Sequence, residues 1–136
     1  MSGGGVLKGH FLTPLLRDPA SNHRLTNVRT TRPIATTVEP ALDSSSRKRG
    51  LLGRTGLAPG HALVIAPSNL VHTFFMQFPI DIVFARRDGT VVKIRRSVPA
   101  RRITGALRAF AVIEMAAGAL QGLDLRVGDR LELSQD

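Results

Sequence analysis

The feature that most restricts this chain is Asp88-Gly89, set between two runs rich in Ile, Val and Phe, residues 80–87 and 90–97. Both central positions of a type I′ turn need a positive φ, which Asp-Gly supplies, so the runs are read as a β-hairpin closed by two residues. That turn sets the register. Arg87 then faces Thr90, Ala85 faces Val92, Val83 faces Ile94 and Asp81 faces Arg96. One face carries Asp81, Val83 and Ala85 against Val92, Ile94 and Arg96, an apolar middle closed by a charge pair. The other carries Ile82, Phe84 and Arg86 against Val91, Lys93 and Arg95. A three-residue turn with a bulge would slide this register and remove the Asp81–Arg96 pair.

Around the hairpin the chain divides into short apolar runs punctuated by Gly, Pro, Asn and Asp. Residues 1–10 are glycine-rich and expected to be flexible, and residues 11–134 to form a single β-rich domain. Residues 11–16 are interrupted by Pro14 and read at best as an edge strand. Alternation marks strands at 24–29 and 34–39, the second ended by Pro40. Asp43 to Ser46 offer helix caps, so a short helix is expected over 47–52, stopped at Gly53. Further strands are expected at 62–65, 71–75, 110–115 and 130–133, and a trans Pro79 leads into the hairpin. Seven or eight short strands and one helix specify an α+β, mostly β fold. The expected form is a small antiparallel, barrel-like sheet with one short helix packed against it.

Composition excludes several functions. Cysteine is absent, which removes disulfides, thiolate catalysis and cysteine-ligated metals. No run approaches the roughly 20 apolar residues of a membrane span, and no secretory pattern opens the chain, so a cytoplasmic protein is expected. The formal net charge is +9, dominated by arginine and concentrated before residue 101. Such an excess attracts polyanions without specificity, and guanidinium groups suit phosphate or carboxylate. There is no phosphate-binding G-x-x-x-x-G-K-[ST] loop and no G-x-S-x-G element, and the four histidines lack any metal-ligand spacing. No catalytic residue, metal or cofactor is assigned.

From residue 41 onward the chain resembles one family. A polar-capped helix ends in Arg49-Gly50-Leu51-Leu52-Gly53-Arg54, and the apolar strand Ala62 to Ile65 follows. Phe74-Phe75-Met76 then runs through Phe78 into Pro79-Ile80-Asp81-Ile82-Val83-Phe84. An Asp-Gly turn, Val112-Ile113-Glu114 and Gly128-Asp129 complete the pattern over residues 41–133. It resembles the family of domain of unknown function 192, with Phe75 where that family often has Trp and Phe78 where many members have Asn. The resemblance implies a compact β-rich fold and no activity.

The candidate sites come from polar residues in apolar surroundings. His72, Asp81 and Glu114 lie within apolar strands, and Arg54 follows the helix. With Phe75 and Met76 they make a candidate ligand groove. The same residues fit two other readings: ion pairs joining Asp81 to Arg96 and Glu114 to Arg54, or a hydrolase-like site built on Asp81, Glu114 and His72. Arg86, Lys93, Arg95, Arg101 and Arg102 make a candidate polyanion patch, the first three on the hairpin face that carries Phe84. The leading expectation is a non-catalytic binding module, monomeric or weakly dimeric, that takes a protein or small molecule in the groove. Nucleic acid on the basic face is the second reading, and the hydrolase the third.

Overall fold

The computed structural model describes residues 9–135. Within them lie α1 (Thr13–Arg17), β1 (His23–Asn27), β2 (Arg32–Ala35), β3 (Thr37–Ala41), α2 (Ser44–Arg49) and β4 (His61–Ile65). Then follow β5 (Leu70–His72), β6 (Ile80–Ala85), β7 (Val91–Val98), β8 (Ile103–Gly105), β9 (Ala111–Ala116) and β10 (Leu131–Gln135). The strands form a five-stranded sheet in the order β3-β4-β9-β6-β7, a three-stranded sheet β10-β1-β2 and a ribbon β5-β8. All pairs are antiparallel except β3 with β4. The mostly β class holds, but the sheets stay open, so the expected barrel is a stack of layers. No helix among the described residues is long and apolar enough to cross a membrane.

Two cores flank the five-stranded sheet. Ala62, Val64, Val83, Ala85, Ile113 and Met115 face the three-stranded sheet and α1, meeting Leu12, Leu15, Leu25 and Leu131. Leu63, Ile65, Ile80, Ile82, Phe84 and Val112 face the other way, meeting Leu51 after α2 and Val71 of β5. Strand alternation sends neighbouring residues to opposite faces, so every residue of β6 is buried although the strand has no polar side. That is the pattern of a central strand covered on both sides.

Several local expectations are corrected. Residues 13–17 are helical because Pro14 falls in the first turn, where its missing N–H costs nothing. The second helix begins earlier than expected: Asp43 caps it by accepting from the Ser46 N–H at 2.8 Å, and Gly50 ends it at φ +48°. The run 34–39 changes sheets at Thr36, with Ala35 paired to Leu25 and Thr37 to His61. Pro40 sits inside β3, which tolerates it as the edge strand of its sheet. The strand expected at 71–75 stops at His72, and Pro79 is trans whereas Ala66–Pro67 is cis. Residues 1–8 lie outside the described residues, while His10 is buried and accepts from the Leu12 N–H at Nδ1.

The hairpin forms with a different turn. Gly89 N–H donates to Arg86 O and Arg86 N–H to Thr90 O, each at 2.9 Å, so three residues close it and Gly89 stands at φ +90°. Ala85 therefore pairs with Val91. A bulge restores the expected pairing of Val83 with Ile94, and another slides the far end until Ile80 meets Val98. At that second bulge Asp81 accepts from the Ser97 N–H at 2.8 Å, and Arg96 is left exposed. The expected Asp81–Arg96 pair is absent. Asp81 instead joins β7 to the turn after β9, accepting from the Gly118 and Leu120 N–H groups at 3.2 Å each.

Two expected outcomes follow from this wiring. A Cβ on Gly89 would lie 2.3 Å from Leu131 O, whereas one on Gly118 meets nothing within 4 Å. Gly89→Ala is expected to cost at least about 3 kcal/mol in denaturant unfolding, and Gly118→Ala only about 1, from its positive φ alone. Asp81→Asn turns an NH₂ group onto a backbone N–H whichever way the amide sits. It is expected to cost about 2–3 kcal/mol by the same measurement.

Candidate functional site

Glu114 sits on the second-core face of β9, between Leu63 of β4 and Ile82 of β6. Leu63 in turn pairs with Glu39, so the two glutamates share a row across the sheet with one leucine between them. Glu114 is only 4% exposed, and among the described residues its carboxyl takes part in no hydrogen bond or close ion pair. Burial pushes its pKa up to about 7, against a counter-pull from the Arg54 guanidinium. Arg54 is committed elsewhere. Its fork grips Glu39, Nη1 to Oε1 at 3.0 Å and Nη2 to Oε2. Glu39 is half-exposed on an edge strand, and hydrogen bonding from Arg54 holds its pKa below the ordinary value in spite of some desolvation, so it takes the arginine that sequence reasoning gave to Glu114.

The Glu114 carboxyl opens into a cavity of about 140 Å³. Its walls are the last turn of α2 (Arg47, Lys48, Arg49), Leu51, β5 and Met76. The sequence shows the Arg47-Lys48-Arg49 run, but nothing local says that it rims a cavity; that depends on where β5 crosses the sheet. Near neutral pH the carboxyl is divided between its two forms, so it can donate an O–H or accept a hydrogen bond. It does so under a basic rim and against apolar walls.

The expected groove is thus partly assembled. His72, Met76 and Glu114 line one cavity, and Arg54 lies within electrostatic reach. Phe75 points to solvent, 83% exposed. Asp81 faces the first core, because it alternates with Ile80 and Ile82, and its carboxylate is consumed by three N–H donors. Asp81 and Glu114 therefore lie on opposite faces of the sheet and do not form an acid–base pair. Among the described residues no cluster of His, Asp or Glu could hold a metal.

The basic patch is also divided. Phe84 is fully buried and gives no stacking platform. Lys93 Nζ donates to Gly105 O at 2.7 Å and Arg95 reaches Thr104 Oγ1 at 3.4 Å, tying the sheet to the β5-β8 ribbon. Arg86 lies 4.0 Å from Asp88, and Arg101 and Arg102 are exposed. Sequence reasoning also missed His23, which is fully buried with neither ring nitrogen hydrogen-bonded among the described residues.

Residues 25–133 match the family of domain of unknown function 192, described as "Uncharacterized ACR". The match begins within β1 and takes in β2 and β3, of which the residue pattern from Ala41 reached only the last residue. The chain is 36% identical over 80 residues to a UPF0127 protein of Pyrococcus abyssi, covering 54% of this chain and 68% of that one. A crystal structure from Sinorhizobium meliloti 1021, provisionally assigned as a transcription regulator, superposes with a TM-score of 0.72 and 28% identity. It covers 82% of this chain and 92% of its own. A protein of unknown function from Novosphingobium aromaticivorans DSM 12444 has the same fold, with a TM-score of 0.70, 22% identity and coverage of 81% and 82%. The layered fold and the extent of the sequence match together place this chain in the family of domain of unknown function 192.

Proposed function

We propose that the chain is a small binding module whose ligand enters the cavity between α2 and the five-stranded sheet and is held by Glu114. One observation carries this reading: a buried carboxyl with no hydrogen bond among the described residues, and only the longer-range pull of Arg54, lines a space that another molecule could fill. A buried polar group with no hydrogen bond destabilises a protein, and a ligand would supply the missing bond. The cationic rim disfavours amines and favours a compact anionic or neutral polar head. Binding is preferred to hydrolysis because Asp81 faces away and leaves Glu114 without a second carboxylate. A larger cavity of about 260 Å³ near Phe110 is walled mainly by apolar groups, and its His10 already accepts from a backbone N–H.

A second reading, polyanion binding, draws on the exposed Arg101 and Arg102 and on the assignment given to the Sinorhizobium structure. It is weakened by the burial of Phe84 and the internal bonds of Lys93 and Arg95.

The carboxyl gives the first test. Glu114 titrates at its ordinary 4.5 when unfolded and at about 7 when folded. Between those values the folded state keeps a proton that the unfolded state has lost. Stability therefore falls as pH rises through that window, and the full cost is present above it. Glu114→Gln removes this titration. The variant is expected to exceed the parent by roughly 3 kcal/mol in urea unfolding near pH 8 and to converge with it near pH 4. A thermal-shift screen of small carboxylates, phosphates and amides is expected to yield compounds that stabilise the parent and not this variant. An empty screen would sink the cavity reading. With six Phe, no Trp and no Tyr, the purified protein is expected to show only weak ultraviolet absorption. A strong band near 260 nm that high salt removes would favour the second reading.

A further inference from the structure

Phe75 stands at φ +69° and Arg101 at φ +67°, a backbone conformation that side chains other than Gly and Asn rarely adopt. One buried residue, Thr73, holds both loops in place. Its N–H donates to Arg102 O at 2.8 Å and its Oγ1 donates to Pro99 O at 2.7 Å. The same Oγ1 accepts from the Arg102 N–H at 2.9 Å, and Thr73 O accepts from the N–H groups of Met76 and Arg101 at 3.2 Å each. This network locks the loop before β6 against the loop before β8. What it presents is an aromatic ring 83% exposed, so packing does not offset the unfavourable backbone at Phe75. Strain that packing does not repay points to a role outside the fold.

The surroundings define the role. Val71 and Thr104 of the β5-β8 ribbon face inward, and Leu70, His72 and Ile103 face out. Leu70 and Ile103 are 62% and 64% exposed, and the His72 ring lies 6.0 Å from that of Phe74. This makes an apolar patch of the kind found at protein interfaces. Its rim is cationic, with Arg101 and Arg102 exposed on the loop that Thr73 holds and exposed Arg95 reaching Thr104 of β8, and neither segment 68–79 nor segment 93–108 contains an Asp or Glu. A second copy of this chain would set cations against cations. Single-stranded nucleic acid would use the two phenylalanines but gain little from Leu70 and Ile103, which offer no stacking face. Aliphatic and aromatic anchors within an arginine rim suit a protein surface of opposite charge.

We propose that this surface docks an acidic protein segment carrying an apolar anchor, with Phe75 at its centre and Arg101 and Arg102 pairing with the partner's carboxylates. The surface adjoins the Glu114 cavity through Leu70 and His72 but does not depend on it.

The test uses the full chain and a library of random displayed peptides, followed by affinity measurements on the peptides selected. Expected are sequences in which Asp and Glu flank a large apolar residue, with binding that weakens as salt rises. Phe75→Asn and the double change Arg101→Ser, Arg102→Ser should each weaken binding about tenfold or more. Because Asn accepts the left-handed backbone, Phe75→Asn should melt at or above the parent, which separates lost docking from lost folding. Selection of no peptides, selection of peptides without acidic residues, or unchanged affinity for Phe75→Asn would overturn the proposal. So would a lower melting temperature for that variant, since Phe75 would then be a packing residue. Tight binding of an oligothymidine that Phe75→Asn abolishes would transfer the surface to single-stranded nucleic acid.

Discussion

Burial of β6 and β9 on both faces is the constraint on which the rest of this structure depends. A strand covered on one side can place polar groups in water on the other; these two cannot. Each carries one carboxyl, and alternation sends Asp81 and Glu114 into different cores. Asp81 meets three N–H donors and becomes a joint between β7, the turn after β9 and the first core. Glu114 meets an arginine already held by Glu39 and is left to titrate near neutrality. Two buried carboxyls thus have two outcomes, decided by whether the neighbouring backbone turns its N–H groups inward.

The covering layers are attached by polar contacts at their margins. At the first core, buried Asp129 takes the side chains of Asn27 and Arg29 and the N–H of Arg126, and hydrogen bonding from Arg29 draws its pKa down to about 2. The start of β10 is thereby fixed to the end of β1, and Leu131 N–H donates to Gly89 O at the hairpin tip. At the second core the cover is thinner. The six-residue helix buries none of its own residues, and Leu51, Val71 and loop residues such as Leu57, Met76 and Phe78 shield that face, with Lys93 and Arg95 reaching over to hold the ribbon. The cavity lies where that cover is incomplete.

What the residues reveal by themselves follows the range of the interaction responsible. The hairpin is legible because Asp88-Gly89 and its flanking β-formers act locally, and the pairing of Val83 with Ile94 survives because two irregularities offset each other. The far end of the hairpin is not legible: the bulge at Arg96 and Ser97 exists to give Asp81 its N–H, and half of that bargain comes from the loop at Gly118. Pro14 and Pro40 mislead for a related reason. Proline bars a central strand, yet permits both the first turn of a helix and an edge strand, and only tertiary placement chooses. His72, Met76 and Glu114 can be singled out as polar or soft residues in apolar runs. That Asp81 belongs to the other face follows from parity once β6 is known to be covered twice.

Stability gives no reason for the residue at 114. Its neighbours in the row, Leu63 and Ile82, show what the second core accepts, and an aliphatic side chain there would remove an unpaired carboxyl and fill part of the cavity. The left-handed phenylalanine at 75 is equally unfavourable for the fold alone. Both exceptions stand beside the β5-β8 ribbon, on the thinly covered side, while the first core carries its buried Asp81 and Asp129 fully bonded. The first side has its own exception in His23, buried beside Leu25 with neither ring nitrogen bonded among the described residues, but the buried carboxyl and the exposed left-handed ring both stand on the other. Those two departures are the ones that adjoin the surfaces proposed above to meet another molecule.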